Sequence, residues 1–271
     1  MKPFLRWAGG KQYLLHHLLR FIPENYREVR YFEPFFGAGS LFFAVSPRKA
    51  ILSDLNSHLI DCYNIVRDYP KKLYYYLLRH KKNNSKKYYY EIRNQFNKYL
   101  GQNTIAQASR FIYLNRACFN GIFRVNTFGY FNVPYDSNKT LVFPSLSELY
   151  QFSGVLKNVL LITCSYEKIL PKTRTGDFIY IDPPYPPLNG TSYFTHYTKD
   201  RFPISDQIKV YLFAEKLLKK GCNVLITNAD TDEIRKLYRN WHIFPVEATR
   251  FISCKSKRHK VGEVIMTNYD L

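Results

Sequence analysis

Short apolar runs bounded by turn residues recur along the chain, at 30–32, 50–52, 159–163, 178–181, 224–227, 242–246 and 264–267. They are rich in Ile, Val, Phe and Tyr and too short for buried helices, which predicts strands. Longer stretches of helical period separate several of them, notably 205–218 and 231–239, and residues 41–45 read as a shorter helix. Strands alternating with helices predict an α/β fold with a doubly wound, mostly parallel, Rossmann-like sheet. From Ser57 to about Phe143 the pattern changes. Apolar residues there fall three or four apart, as in Leu59, Tyr63 and Val66 or Tyr88, Ile92, Phe96 and Leu100, the period of an amphipathic helix. Residues 57–143 are therefore expected as a helical insertion after the second strand, with 1–56 and 144–271 forming the core.

Two of the expected strands end in residues that carry chemistry. The run Phe178-Ile179-Tyr180-Ile181 leads directly into Asp182-Pro183-Pro184-Tyr185. Proline fixes φ and removes a backbone donor, so the neighbouring carbonyls are left as acceptors beside the Asp182 carboxylate. Two acceptors and an aromatic face make a clamp for a flat ring bearing an amino group. Acceptors aimed at that amine keep electron density on nitrogen as it attacks an electrophile. The plainer reading of the same residues is a proline turn closing a strand. The run at 30–32 leads into Glu33-Pro34-Phe35-Phe36-Gly37-Ala38-Gly39-Ser40, where glycines let backbone approach a ligand. Asp54 follows the next strand, at the spacing from which an acid reaches ribose hydroxyls in a dinucleotide-type fold, so the pair suggests a nucleoside-bearing cofactor. Glycine also marks ordinary tight turns. Gly9-Gly10-Lys11 is not a phosphate loop, because the earlier glycine is missing and Gln12 stands where Ser or Thr is required.

Charge narrows the partners. Forty Lys and Arg against 21 Asp and Glu give a formal net charge of +19, which suits a polyanion. An anionic membrane surface is the competing partner, but no uninterrupted apolar run approaches the ~20 residues of a spanning helix. Met1-Lys2-Pro3-Phe4 opens no signal peptide, so a soluble, cytoplasmic protein is expected. Cys62, Cys118, Cys164, Cys222 and Cys254 are scattered singly, which predicts reduced thiols and no zinc site. Lys81-Lys82-Asn83-Asn84-Ser85-Lys86-Lys87 reads first as a solvated loop between helices and second as a phosphate-contacting patch. Tyr74-Tyr75-Tyr76 and Tyr88-Tyr89-Tyr90 read as packing residues before base-stacking platforms. Lys255, Lys257, Arg258, His259 and Lys260 form a basic loop before the last strand, either a contact to duplex phosphates or a solvated loop.

The order of motifs, more than any one of them, resembles a known family. Phe4-Leu5-Arg6-Trp7-Ala8-Gly9-Gly10-Lys11, then Phe32-Glu33-Pro34-Phe35-Phe36-Gly37-Ala38-Gly39, then Asp182-Pro183-Pro184-Tyr185 is similar to the Dam-type, alpha-group DNA adenine methyltransferases. Tyr113-Leu114-Asn115-Arg116, Phe119-Asn120-Gly121, Arg124, Phe131-Asn132-Val133-Pro134, Val224-Leu225-Ile226-Thr227-Asn228 and Glu263-Val264-Ile265-Met266-Thr267-Asn268 extend the resemblance over nearly the whole chain.

The resemblance implies S-adenosylmethionine as methyl donor, double-stranded DNA as substrate and no metal. A monomer is expected, with any cognate restriction endonuclease acting separately. Trp7, Gly9, Lys11, Glu33, Phe36, Gly37, Gly39 and Asp54 would line the cofactor cleft together with Asp182. Asp182, Pro183, Pro184 and Tyr185 would hold an adenine extruded from the duplex, and the inserted segment would recognise the target. Arg124 would read a guanine of 5′-GATC, Arg6 would lie near the first base pair, and Phe119 would wedge between bases beside Asn120. Arg116, Pro134, Lys255, Lys257 and Arg258 complete the DNA-facing set. The bland readings are that Trp7 and Phe119 pack, and that Arg124 only neutralises phosphate. Tyr135-Asp136-Ser137-Asn138 departs from the family pattern of a basic residue and then a tyrosine, which leaves the contact with the first base pair open. RNA or protein methylation, or a silent DNA-binding descendant, are the competing functions. Asp at the clamp's first position favours adenine over a protein glutamine, and the insertion with Arg124 favours duplex DNA.

Overall fold

The computed structural model describes residues 1–138, 140–186, 202–246 and 262–270. All seven expected runs form strands: β1 Tyr31–Glu33, β2 Ala50–Asp54, β3 Val159–Thr163, β4 Phe178–Ile181, β5 Asn223–Ala229, β6 His242–Val246 and β7 Glu263–Thr267. They build one mixed sheet in the order β3-β2-β1-β4-β5-β7-β6. The first five strands in chain order are mutually parallel, whereas β7 runs antiparallel between β5 and β6. Every residue of β4 is buried, as expected for a central parallel strand covered on both faces.

Order fixes where ligands can sit. From β1 the chain winds outward through β2 to β3, then returns to place β4 on the other side of β1. The strand order therefore reverses between β1 and β4, and the crevice beyond their carboxyl ends is the binding position of open α/β sheets. The glycine turn leaves β1 there, and Asp182 leaves β4 beside it.

Helices α1 Leu15–Leu18 and α2 Ser40–Val45 flank β1 in sequence, and α8 Ile204–Lys219 and α9 Asp232–Leu237 flank β5. α9 is shorter than the expected 231–239, because Thr231 is its N-cap, accepting from the Ile234 amide. Between β2 and β3 lie α3 Ser57–Asp68, α4 Pro70–Asn83, α5 Lys86–Lys98, α6 Ile105–Ala117 and α7 Leu146–Leu156. Asn56, Ser85, Thr104 and Ser145 cap α3, α5, α6 and α7 through side-chain oxygens, and Ser145 forms a reciprocal capping box with Glu148. The apolar residues of α3 to α7 join one face of the sheet in a single continuous core that includes Phe4, Tyr63, Phe111 and Phe152.

The lysine-rich stretch differs from the expected loop. α4 continues to Asn83 and α5 begins at Lys86, so only Asn84 and Ser85 intervene. Lysine is a good helix former and Ser85 supplies the cap, so seven polar residues need no long loop. Tyr89 is fully buried, as expected of a packing residue, but Tyr75 and Tyr76 are exposed. Cys62, Cys164 and Cys222 are free thiols. No helix among the described residues is long and apolar enough to cross a membrane.

Candidate active site

Asp182 stands at the carboxyl end of β4, where the two prolines stop pairing with β5 beyond Ile181. Its Oδ1 accepts from Thr227 Oγ1 at 2.7 Å and pairs with Lys11 Nζ at 2.8 Å. Tyr180 OH lies 3.2 Å from the same threonine oxygen, whose own proton goes to Asp182. Lys11 is 4% exposed and Asp182 16%, so the ion pair is largely desolvated. Burial pushes the Asp182 carboxyl above its ordinary range, and the Lys11 ammonium and Thr227 hydroxyl pull it back. Lys11 also donates to the Gly9 carbonyl at 2.8 Å and sits 4.5 Å from the centre of the Tyr185 ring. It thus joins the amino-terminal segment to both ends of the clamp.

The glycine turn is shaped by its neighbours. Gly37 and Gly39 have φ of +49° and +69°, and a Cβ on Gly37 would lie 2.9 Å from the Trp7 ring. A Cβ on Gly39 would meet the Phe36 ring at 2.4 Å. Asp54, ending β2, closes this turn: its Oδ2 accepts from the Gly37 amide and its Oδ1 from the Asn56 amide, each at 2.9 Å. Burial raises the Asp54 carboxyl, and these two backbone bonds lower it. Glu33 is buried, accepts from Tyr31 OH at 2.7 Å, and is pushed well above the usual carboxylate range by burial, with Asp182 and Asp54 adding to the shift. Among the described residues, three acids thus stand beside Lys11 in this crevice of a basic protein.

Phe36 was expected to line the cleft, but it is 2% exposed and its ring packs on Phe42, Phe43 and Tyr63. Its amide is bound to the Ser53 carbonyl, so Phe36 supports the turn from the core side. Trp7 stacks on Phe123, with centroids 5.9 Å apart, and is only partly buried, so it both packs and walls the turn.

Residues expected at DNA separate into two groups. Phe119, Asn120, Arg124 and Pro134 are exposed, and Phe119 N donates to the Pro134 carbonyl at 2.9 Å. Arg124 Nε donates to Asn132 Oδ1 at 2.9 Å, next to the isolated antiparallel bridge Val125↔Phe131. Asn120 holds φ of +56°, which turns the chain sharply after α6. Arg116 differs from expectation: Nε donates to the Val142 carbonyl at 2.9 Å and Nη1 to Phe4 at 3.3 Å, so it ties backbone segments together. Arg6 is half-buried, with its stem against Gly121. Lys255, Lys257 and Arg258, like Tyr193, Phe194, His196 and Tyr197, lie outside the described residues.

Several residues that hold the site carried no assigned role in the sequence. Glu263, fully buried at the start of β7, accepts from Tyr185 OH at 3.1 Å and from Tyr13 OH. Asn115, also fully buried, bonds both backbone groups of Arg6 and the Gly121 carbonyl. Thr227, Asn115 and Glu263 all fall in motifs that resemble the family, which was their only signal. Among the described residues no cluster of three or more His, Cys, Asp or Glu is placed to hold a metal.

Comparison with known proteins agrees with this arrangement. Residues 7–252 match the model of the D12 class N6 adenine-specific DNA methyltransferases. The chain is 38% identical to the type II methyltransferase M1.LlaDCHI of Lactococcus lactis subsp. cremoris, over 99% of this chain and 96% of that one. It is 36% identical to the type II methyltransferase M.MjaIII of Methanocaldococcus jannaschii, over 99% of each. It is 37% identical to the DNA adenine methylase of Escherichia coli K12, over 97% of this chain and 94% of that one. A family model matched over residues 7–252 and relatives 36–38% identical over nearly the whole of both chains have one meaning: this protein belongs to the D12 class of N6 adenine-specific DNA methyltransferases.

Proposed function

We propose that the protein takes its methyl group from S-adenosylmethionine and delivers it to the amino group of an adenine turned out of duplex DNA, within 5′-GATC. The observation that carries this reading is the Asp182-to-Tyr185 clamp, held at the switch point beside the glycine turn.

The crevice fits the cofactor by charge and by space. Glu33, Asp54 and Asp182 are acids raised by desolvation, and Lys11 pairs with Asp182, so a positively charged sulfonium and ammonium would suit this end of the sheet. Gly9 has open space where a Cβ would be, and the Gly37 amide and the Asp54 carboxylate meet at 2.9 Å in the turn. Trp7, Lys11, Gly37, Gly39 and Asp54 would hold the cofactor. When bound, it supplies an electrophilic methyl on sulfur. Asp182 then needs to do no more than accept one amino hydrogen and fix the nitrogen lone pair, with the Pro183 carbonyl accepting the other. Tyr185, anchored through its hydroxyl to Glu263, offers the stacking face. Extruding the base costs roughly a few kcal/mol, which contacts to the empty duplex position must offset.

Target reading belongs to residues 57–143 in this proposal. Exposed Arg124, held through its Nε by Asn132, suits the edge of a guanine, and exposed Phe119 suits a wedge between bases. Tyr135, where the family pattern departs, accepts from Asn84 Nδ2 at 3.2 Å and packs on Tyr89, and it adds nothing for or against GATC.

Replacing Asp182 with Ala is the test. Transfer of labelled methyl groups to a GATC duplex should be lost, while duplex affinity stays within a few-fold, because phosphate contacts supply most of it. Substantial turnover by the variant would remove Asp182 from the reaction.

A further inference from the structure

The carbonyl of Pro184, inside the clamp, accepts from Gln207 Nε2 at 2.8 Å. Gln207 lies in the first turn of α8 and is fully buried. Its Oε1 accepts from Asn228 Nδ2 at 2.9 Å, and Asn228, on β5, is fully buried as well. Asn228 Oδ1 in turn accepts from the Ala229 amide at 2.8 Å. Primary amides can turn over, so their oxygen and nitrogen ends are assigned from their partners. Here a backbone N–H, which can only donate, stands at one end of the chain, and a carbonyl, which can only accept, at the other. The two side-chain amides between them have one consistent orientation.

We propose that Gln207 and Asn228 are positioning residues of the methyl-transfer site, a buried relay that sets the height and tilt of the clamp by holding the Pro184 carbonyl. This rests on the function proposed above. Consecutive residues of β5 then grip the clamp from opposite faces of the sheet. Thr227 binds Asp182 directly, whereas Asn228 acts on Pro184 through α8. A prolyl carbonyl turned by a few tens of degrees would carry the Pro183 carbonyl and the Tyr185 ring with it. Transfer between a nitrogen and a methyl carbon requires alignment, and a misplacement of about 1 Å lowers rate by about a hundredfold.

Isosteric substitutions test the relay without opening a cavity. Asn228→Asp keeps the acceptor for Ala229 but presents oxygen to Gln207, and Gln207→Glu presents oxygen to the Pro184 carbonyl. Gln207→Met keeps the volume and removes the amide altogether, and serves if the buried acids do not fold. Single-turnover methylation, S-adenosylmethionine titration and duplex affinity would be measured on each variant. The rate of transfer should fall about ten- to a hundredfold, with both dissociation constants within about twofold. Asn228→Asp combined with Gln207→Met should be no slower than Gln207→Met alone, because one chain is broken in both. Transfer within twofold of the unsubstituted rate in folded Gln207→Met would overturn the relay, and so would a fall in rate matched by an equal fall in cofactor affinity. Failure of the unsubstituted protein to methylate any adenine duplex would instead overturn the proposed function.

Discussion

Lys11 makes a sharp physical prediction because its partner is nearly as buried as it is. Lys11→Met keeps the aliphatic stem and removes the charge, leaving Asp182 without its 2.8 Å counter-ion in a crevice that already holds Glu33 and Asp54. Removing one member of a buried pair costs about 3–5 kcal/mol when the other stays charged. Asp182 can escape by taking up a proton, which at pH 7 costs about 4 kcal/mol from an unperturbed value near 3.9, so the loss is bounded near that figure. The pH dependence has a definite sign. Burial already raises the Asp182 carboxyl, and loss of the ammonium raises it further. A raised carboxyl makes the fold less stable as pH climbs from the unfolded value through the folded one. The variant should therefore trail the unsubstituted protein most at neutral pH. Towards pH 4 the gap should narrow, because protonation of Asp182 removes the charge that Lys11 neutralises and makes Lys11 the unpartnered charge in the unsubstituted protein. Urea unfolding across pH 4 to 8 measures this, and the acid limb of methyl transfer should move to higher pH in parallel. A loss equal at both ends of the range, or below about 1 kcal/mol at pH 7, would show that solvent screens the pair and refute the reasoning.

Asp54→Ala should weaken S-adenosylmethionine and also destabilise the fold, since each bond from the Gly37 and Asn56 amides to this charged acceptor is worth about 1.5–3 kcal/mol. Cofactor titration alongside thermal melting separates the two, and an unchanged melting temperature would deny the turn-closing role. Arg124→Ala should lower discrimination against a changed guanine by about 1–3 kcal/mol, seen by competition methylation of GATC and singly substituted duplexes. An equal loss on every duplex would make Arg124 a backbone contact and remove the main support for GATC.

The strands were legible because Val, Ile, Phe and Tyr cluster in runs that no helix of that length could use. β3 and β4 even begin and end at the expected residues. The clamp and the glycine turn were legible because proline and glycine impose backbone shapes that few other positions need. What holds them was not. Gln207 reads as an ordinary polar residue in a helical first turn, and only the approach of Pro184, 23 residues earlier, makes it a buried donor. Arg116 was expected in the DNA-facing set, but the nearby carbonyls of Phe4 and Val142 take two of its donors, a pairing set by the tertiary fold alone. Phe36 stood in a motif of ligand-facing residues, yet a large ring beside two positive-φ glycines fills the space beneath them.

The antiparallel β7 has a consequence for when the enzyme comes into being during synthesis. Glu263, which anchors Tyr185, and the strand that carries it are made after more than nine-tenths of the sequence above, yet they seat between β5 and β6. Tyr13 and Phe21 bond Glu263 and Tyr269 some 250 positions later. A growing chain can therefore fold its helices and its first parallel strands while Tyr185 still lacks its Glu263 partner and a slot stands open in the sheet. Contacts so far apart in sequence form slowly, and an open slot invites pairing with another strand. Seating of β7 is thus the event that fills the gap between β5 and β6 and brings Glu263 to Tyr185.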